Sequence, residues 1–226
     1  MSDMPANAAP LAEESAASLV SFVVDSIVDG VMKGRYAPGQ RLIAADLAEE
    51  YQVSRAPVRE ALHVLAGEGV VELIANRGAR IRRLSVKELV DFLEFTEAIL
   101  VLGVRLVTAR MNEPDCRAVI AAAQLELEGS RDRGARDFVF ALYQYHVGIN
   151  MIAGNEFLEF FYRRPYIRFY TLLLADLVPG DHADQFVINY RMITESILSG
   201  DAHTSVTMFV SHIRWVLRNM RAEGRS

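Results

Sequence analysis

Between Asp46 and Arg83 the apolar residues change their spacing from helical to alternating, and few folds accommodate that order in so short a stretch. Asp46 to Tyr51 reads as a short helix carrying Leu47, Ala48 and Tyr51, and Gln52-Val53 leaves room only for a tight turn. Ser54 then stands at a favourable N-cap position. Val58, Ala61, Leu62, Leu65 and Ala66 recur at i, i+3, i+4, i+7 and i+8 along Arg55 to Gly67. That stripe must face inward, which turns Ser54, Arg55 and Arg59 outward at the start of the helix. Val70 to Ile74 and Ala79 to Arg83 alternate as strands about Asn76-Arg77-Gly78, a turn in which positive φ costs little. Upstream, Val20, Val23, Val24, Ile27 and Val31 form another helical stripe, stopped by Tyr36-Ala37-Pro38-Gly39. Two helices on a short turn followed by a hairpin describe a winged helix-turn-helix, a module that lays its second helix in the major groove of DNA.

Charge sharpens that reading. Over all 226 residues, 24 Lys+Arg against 29 Asp+Glu give a net charge of -5, which excludes indiscriminate coating of nucleic acid or of an anionic membrane. From Val31 to Arg83, however, nine basic residues face six acidic ones, so this stretch is locally basic. The 51% hydrophobic and 23% charged content is that of a packed globular protein. The one cysteine, Cys116, cannot close an internal disulfide and fits a reducing compartment; no motif surrounds it, and it reads as an inert helix residue rather than a reactive thiol. No HExxH, GxSxG, P-loop or GxGxxG is present, so an enzyme is not expected. The uncharged run from Phe138 to Asn155 has the length of a short membrane span, but Gln144, His146, Asn150 and Asn155 make insertion costly, and a buried helix of a bundle is expected instead.

Residues 1–15, rich in Ala and Pro and without a basic n-region, read as a flexible lead-in, residues 16–84 as the winged helix-turn-helix, and 85–226 as a second domain. Ser85 and Glu88 form a capping box for a helix from Val86 to Met111. Helices follow at Pro114 to Arg131, Arg136 to Ile152, Glu156 to Leu177, Ala183 to Leu198 and Ala202 to Arg221, separated by Gly134, Gly154-Asn155, Pro179-Gly180 and Ser199-Gly200. The fold class is therefore mainly α, a winged helix-turn-helix followed by an all-α antiparallel bundle. Surplus apolar residues at Ala98-Ile99-Leu100-Val101-Leu102 and Leu172-Leu173-Leu174 leave surface for a homodimer.

Gly39-Gln40-Arg41-Leu42, Leu47-Ala48, Val53-Ser54-Arg55, Pro57-Val58-Arg59-Glu60-Ala61-Leu62, Leu65 and Glu68-Gly69-Val70 together resemble the DNA-binding domain of the GntR family of bacterial transcription regulators. The bundle, with Gly154-Asn155 and Gly200-Asp201 at its turns, is similar to the FadR-like or FCD-type ligand-sensing domain of that family. The resemblance implies a cytoplasmic bacterial homodimer on a palindromic double-stranded operator, more often a repressor than an activator. It implies that Arg55 or Arg59 pairs bidentately with guanine, that Ser54 meets a phosphate or base edge, and that Arg41 meets a phosphate. Arg77, with Gly78 beside it, would carry the wing into the minor groove. The family often has a polar residue where Ala45 stands, so one contact is absent here. Taken alone, Arg55 and Arg59 also read as solvated helix residues paired with Glu60 or Glu68, and Arg80, Arg82 and Arg83 as DNA contacts or as charges solubilising a strand edge.

Many FCD-type domains hold a divalent metal through an Asp, a His four residues later and two further His. The matching positions are Leu142, His146, Tyr190 and His212, so two of the four ligands are lost. Tyr190 and His212 lie at similar distances either side of Ser199-Gly200-Asp201, so antiparallel packing brings them level, and apolar flanks such as Phe186 and Val216 place both inside. Three readings are open for His146 and His212: ligands of a metal, hydrogen-bonded core residues, or polar anchors for an organic molecule. No cofactor is required. Thr96 and Leu100 stand where metal-bearing relatives often place charged groups, and with Leu142 they point to a less anionic, more lipophilic effector. The rival expectation is a constitutive DNA-binding dimer whose bundle core is filled.

Overall fold

The computed structural model describes residues 9–75, 77–176 and 182–223. The chain divides into two compact units, residues 1–83 and 84–226.

In the first unit, α1 (Ala9–Met32) packs on α3 (Arg55–Gly67), with α2 (Ala44–Glu50) beside them. Val23, Ile27 and Val31 of α1 meet Val58, Ala61 and Leu65 of α3 as a fully buried core, the stripes that the apolar spacing marked. The expected lead-in over residues 1–15 is helical from Ala9 on, because Ala and Glu there favour a helix; residues 1–8 lie outside the described residues. Gln52 takes a left-handed φ of 55° in the turn between α2 and α3, and its side-chain amide donates to the Glu49 carbonyl at 2.7 Å. Ser54 holds the N-cap position of α3 in an extended conformation, but its side chain makes no capping hydrogen bond.

The wing is a three-stranded antiparallel sheet, not only the expected hairpin. Strand β1 (Arg41–Leu42) joins β2 (Val71–Ile74) and β3 (Gly78–Ile81) in the order β1-β3-β2. Two residues are too few to show an alternating pattern, which hid β1 in the sequence. Its approach demands a glycine at 78: φ there is +90°, and a Cβ would sit 2.2 Å from the Leu42 carbonyl oxygen. Asn76 of the expected turn lies outside the described residues; the turn is closed by Arg77 N–H donating to the Ile74 carbonyl at 2.9 Å.

The second unit comprises α4 (Val86–Ala109), α5 (Pro114–Ser130), α6 (Ala135–Ile152), α7 (Glu156–Tyr162), α8 (Pro165–Leu173), α9 (Ala183–Ser199) and α10 (Ala202–Glu223). The Ser85–Glu88 capping box opens α4 with both reciprocal bonds made. The single helix expected from Glu156 to Leu177 is instead two, α7 and α8. Arg164 is extended (ψ 136°) and Pro165 begins α8, as the ring's clash with the preceding turn requires. Pro179-Gly180 lies outside the described residues. Helix α6 runs through the middle, with Tyr145 and Ile149 fully buried, and Gly200 at φ +80° turns α9 back into α10. Leu172, Leu173 and Leu174, expected as surplus surface, are buried in the chain's own core. Among the described residues no helix is long and apolar enough to cross a membrane.

Candidate nucleic-acid interface and bundle cavity

Arg41, Arg55, Arg59, His63, Arg77 and Gly78 line one concave surface of about 610 Å³ between the start of α3 and the hairpin, and among the described residues no carboxylate lines it. Helix phase explains the two α3 residues: burying Val58, Ala61 and Leu65 leaves Arg55 and Arg59 exposed one turn apart. Neither pairs with Glu60 or Glu68 or with any other carboxylate among the described residues. Ser54 stands just outside the concavity, exposed, with its hydroxyl unused by the helix.

Arg41 has a task the sequence did not disclose. Its Nε and Nη2 both donate to the Arg77 carbonyl, at 3.1 and 2.9 Å, so its guanidinium fastens β1 to the wing turn and holds that turn's arginine beside the others. Arg82 and Arg83 also serve the backbone, donating to the Gly69 and Pro38 carbonyls, while Arg80 lies exposed on β3 opposite Arg41 and Glu72. Ala45 lines the concavity and offers no polar contact.

In the bundle, Thr96, Leu100, Leu142, His146, Tyr190 and His212 all border one internal cavity, whose open volume is about 50 Å³. The six positions that the sequence singled out are thus brought together. His146 Nε2 and the Tyr190 hydroxyl are 2.8 Å apart, and the Tyr190 ring meets the His212 ring edge-on at 4.9 Å between centroids. Phe186 abuts His212 at 4.8 Å. Thr96 spends its hydroxyl on the Phe92 carbonyl at 2.9 Å, within its own helix. Behind Tyr190, the Tyr145 hydroxyl bonds Thr194 at 2.7 Å, and Thr194 donates to Gln124 at 3.0 Å.

Burial governs the electrostatics. It pushes both imidazoles down to about 3, His212 being lowered a little further by His146, and it raises the Tyr190 phenol well above its ordinary range. All three are neutral at physiological pH, and among the described residues no cation lines the cavity. Leu142 has no ligand atom, the Tyr190 hydroxyl is engaged with His146, and nowhere among the described residues do three His, Cys, Asp or Glu side chains converge.

The sequence missed Asn189, whose side-chain amide lies 3.0 Å from His212 Nδ1. Adjacent to Tyr190 in the chain, it faces a different side of α9, and only the folding of α10 against α9 brings its partner near.

Comparison with known proteins places residues 19–81 in the family described as bacterial regulatory proteins, gntR family, and residues 91–214 in the FCD domain. The Nta operon transcriptional regulator of Aminobacter aminovorans is 31% identical over 121 residues, 54% of this chain and 57% of that one, so this match spans little more than half of that relative. A probable D-xylose utilization operon transcriptional repressor of Paenarthrobacter nicotinovorans is 27% identical over 200 residues, 87% of this chain and 86% of its own. The HTH-type transcriptional repressor GlaR of Escherichia coli K12 is 28% identical over 197 residues, 81% and 87% of the two chains. Among solved structures, a GntR regulator from Rhodococcus sp. RHA1 superposes with a TM-score of 0.77 at 16% identity, over 91% of this chain and 98% of that one. E. coli McbR/YncC gives 0.74 at 16% identity over the same shares. At that identity the likeness is one of fold.

Proposed function

Since this chain belongs to the GntR family of bacterial regulatory proteins, a transcriptional regulator whose FCD domain follows the winged helix in the chain, we propose that it is a repressor whose hold on its operator is set by a small uncharged molecule bound in the α4–α10 bundle. In this reading α3 enters the major groove, Arg55 and Arg59 read guanine edges, Ser54 meets a phosphate, and Arg77 and Gly78 follow the minor groove. Arg41 contributes a phosphate contact and the bracing of the wing. Two such heads on a homodimer bind a palindromic site in the bacterial cytoplasm, since one head makes few contacts.

The observation that carries the effector half is the character of the cavity. His146, Tyr190 and His212 are polar but neutral, set in a mostly apolar wall that holds no Arg or Lys among the described residues. A carboxylate would enter without a counter-charge, at a large desolvation cost, whereas an uncharged lipophilic molecule would gain burial and one or two hydrogen bonds. No metal is needed for this. Binding there would favour one arrangement of the two heads over another and so change operator affinity.

The volume favours a second reading. About 50 Å³ holds a few waters, against roughly 300–1,000 Å³ for an ordinary small-molecule site, so the cavity must widen to admit an effector. If it does not, the protein is a constitutive DNA-binding dimer with a filled core. Operator fragments recovered on the purified protein, followed by a thermal-shift screen of uncharged lipophilic compounds, separate the two. A compound that raises Tm and changes operator affinity supports the sensor. A wide screen without any such compound favours the filled core.

A further inference from the structure

We infer that Asn189 is a positioning residue that fixes which hydrogen-bonding face of His212 meets the effector, and that this effector presents an uncharged oxygen acceptor, a carbonyl or ether, to His212 Nε2. The ligand half rests on the proposal that the bundle cavity is the effector site; the tautomer half does not.

The His212 ring stands between two spaces. On one side is the internal cavity, and on the other a surface groove of about 260 Å³ between α9 and α10, bordered by Gln185, Asn189, Ser211 and Trp215. In the groove Gln185 Nε2 donates to Asn189 Oδ1 at 2.9 Å, which leaves Asn189 Nδ2 to donate to His212 Nδ1 at 3.0 Å. A neutral imidazole has one N–H, so an Nδ1 that accepts places the proton on Nε2. This is also the tautomer that free imidazole side chains prefer in water. The two ring nitrogens diverge, so with Nδ1 turned to the groove, Nε2–H is the edge offered to the cavity.

Nothing in the wall takes that proton. No hydrogen bond engages Nε2 among the described residues, and the Tyr190 hydroxyl is occupied by His146. Phe186, Tyr190 and Trp215 offer His212 only ring contacts. A hydrocarbon filling the cavity would leave this donor without an acceptor, whereas a ligand oxygen would meet it, and that difference selects for the oxygen-bearing ligand. The exposed Gln185 and the half-buried Asn189 therefore set, from the groove side, what the inside can recognise.

The test uses the full-length, 15N-labelled protein. Long-range 1H–15N correlation of the imidazoles should show His212 with a pyridine-like Nδ1 and a pyrrole-like Nε2. Asn189→Asp, whose carboxylate can only accept, should move a proton to Nδ1, while Asn189→Leu should leave a mixture of tautomers, with the His146 signals unchanged in both. A wild-type pyrrole-like Nδ1, or an unaltered pattern in both folded variants, overturns the positioning role. Cyclopentanone and cyclopentane then probe the cavity, followed by the fluorescence of Trp215, the chain's one tryptophan. The ketone should bind the wild type about fivefold tighter than the hydrocarbon, and Asn189→Asp should erase the preference. Equal binding overturns the acceptor claim. Binding of neither, with the tautomers as expected, overturns the ligand half together with the effector-site proposal and leaves the positioning role standing.

Discussion

The two halves of the chain treat polar side chains in opposite ways. In the winged helix Arg55 and Arg59 are exposed, unpaired with carboxylates and gathered with Arg41 and Arg77 on one concave face. In the bundle His146, Tyr190 and His212 are buried, neutral and tied to one another or to Asn189. The head keeps its charge available, which suits a polyanion met in water and makes binding sensitive to salt. The bundle removes charge, which suits recognition by shape and a few directed hydrogen bonds. A family relationship assigns both domains, but the chemistry each can perform follows from this difference.

Acid should break the comparison most strongly. Unfolded, each buried histidine takes up a proton near 6.5; folded, each does so only near 3. Between those values the unfolded state binds more protons, so this contribution is fully present above about pH 6.5 and is lost as pH falls. The slope is about 1.4 kcal/mol per pH unit for each histidine, or about 5 kcal/mol for the pair by pH 4.5. Denaturant unfolding of the chain at stepped pH should show this loss, and the double variant His146→Leu/His212→Leu should flatten it. Next in size, Tyr190→Phe removes the partner of His146 Nε2 and leaves a buried polar atom unmatched, for a loss of about 1–3 kcal/mol in the same assay. An unchanged midpoint would mean that the His146–Tyr190 bond is not holding the core.

The contrast also explains what the sequence disclosed. Stripes such as Val58, Ala61, Leu62 and Leu65 are local, so the phase of α3, and with it the outward position of Arg55 and Arg59, could be read from spacing alone. The six cavity positions were legible through the family resemblance and through the symmetric placing of Tyr190 and His212 about Gly200. What remained hidden depends on contacts far apart in the chain. The strand at Arg41–Leu42 exists only because β3 pairs with it, and the Asn189–His212 bond only because α10 folds back on α9. Pro165 was a local signal, yet apolar spacing that continues on both sides of it concealed the break. Leu172 to Leu174 looked like surface for a partner because a run of leucines does not say which side of a helix the core occupies.

On the head, the two arginine positions separate reading from holding. Arg59→Ala should cost about 1–3 kcal/mol on the preferred operator and relax its sequence preference, as measured by competition with base-substituted duplexes. Equal loss on every duplex would reduce Arg59 to a phosphate contact. Arg41→Ala should cost less and in a different manner. Removing it loses a phosphate contact and releases the Arg77 carbonyl, so affinity should fall by about 1 kcal/mol across all sequences, with the slope of log K against log salt reduced by about one. Arg41→Lys discriminates the two contributions. A lysine keeps the charge and therefore the salt slope, but it cannot make the paired Nε and Nη2 bonds to the Arg77 carbonyl. A wing that still docks with lysine at position 41 would show that charge alone matters there. A lysine variant that keeps the salt slope while losing affinity for duplexes with a narrow minor groove would show that Arg41 acts by holding Arg77 in place.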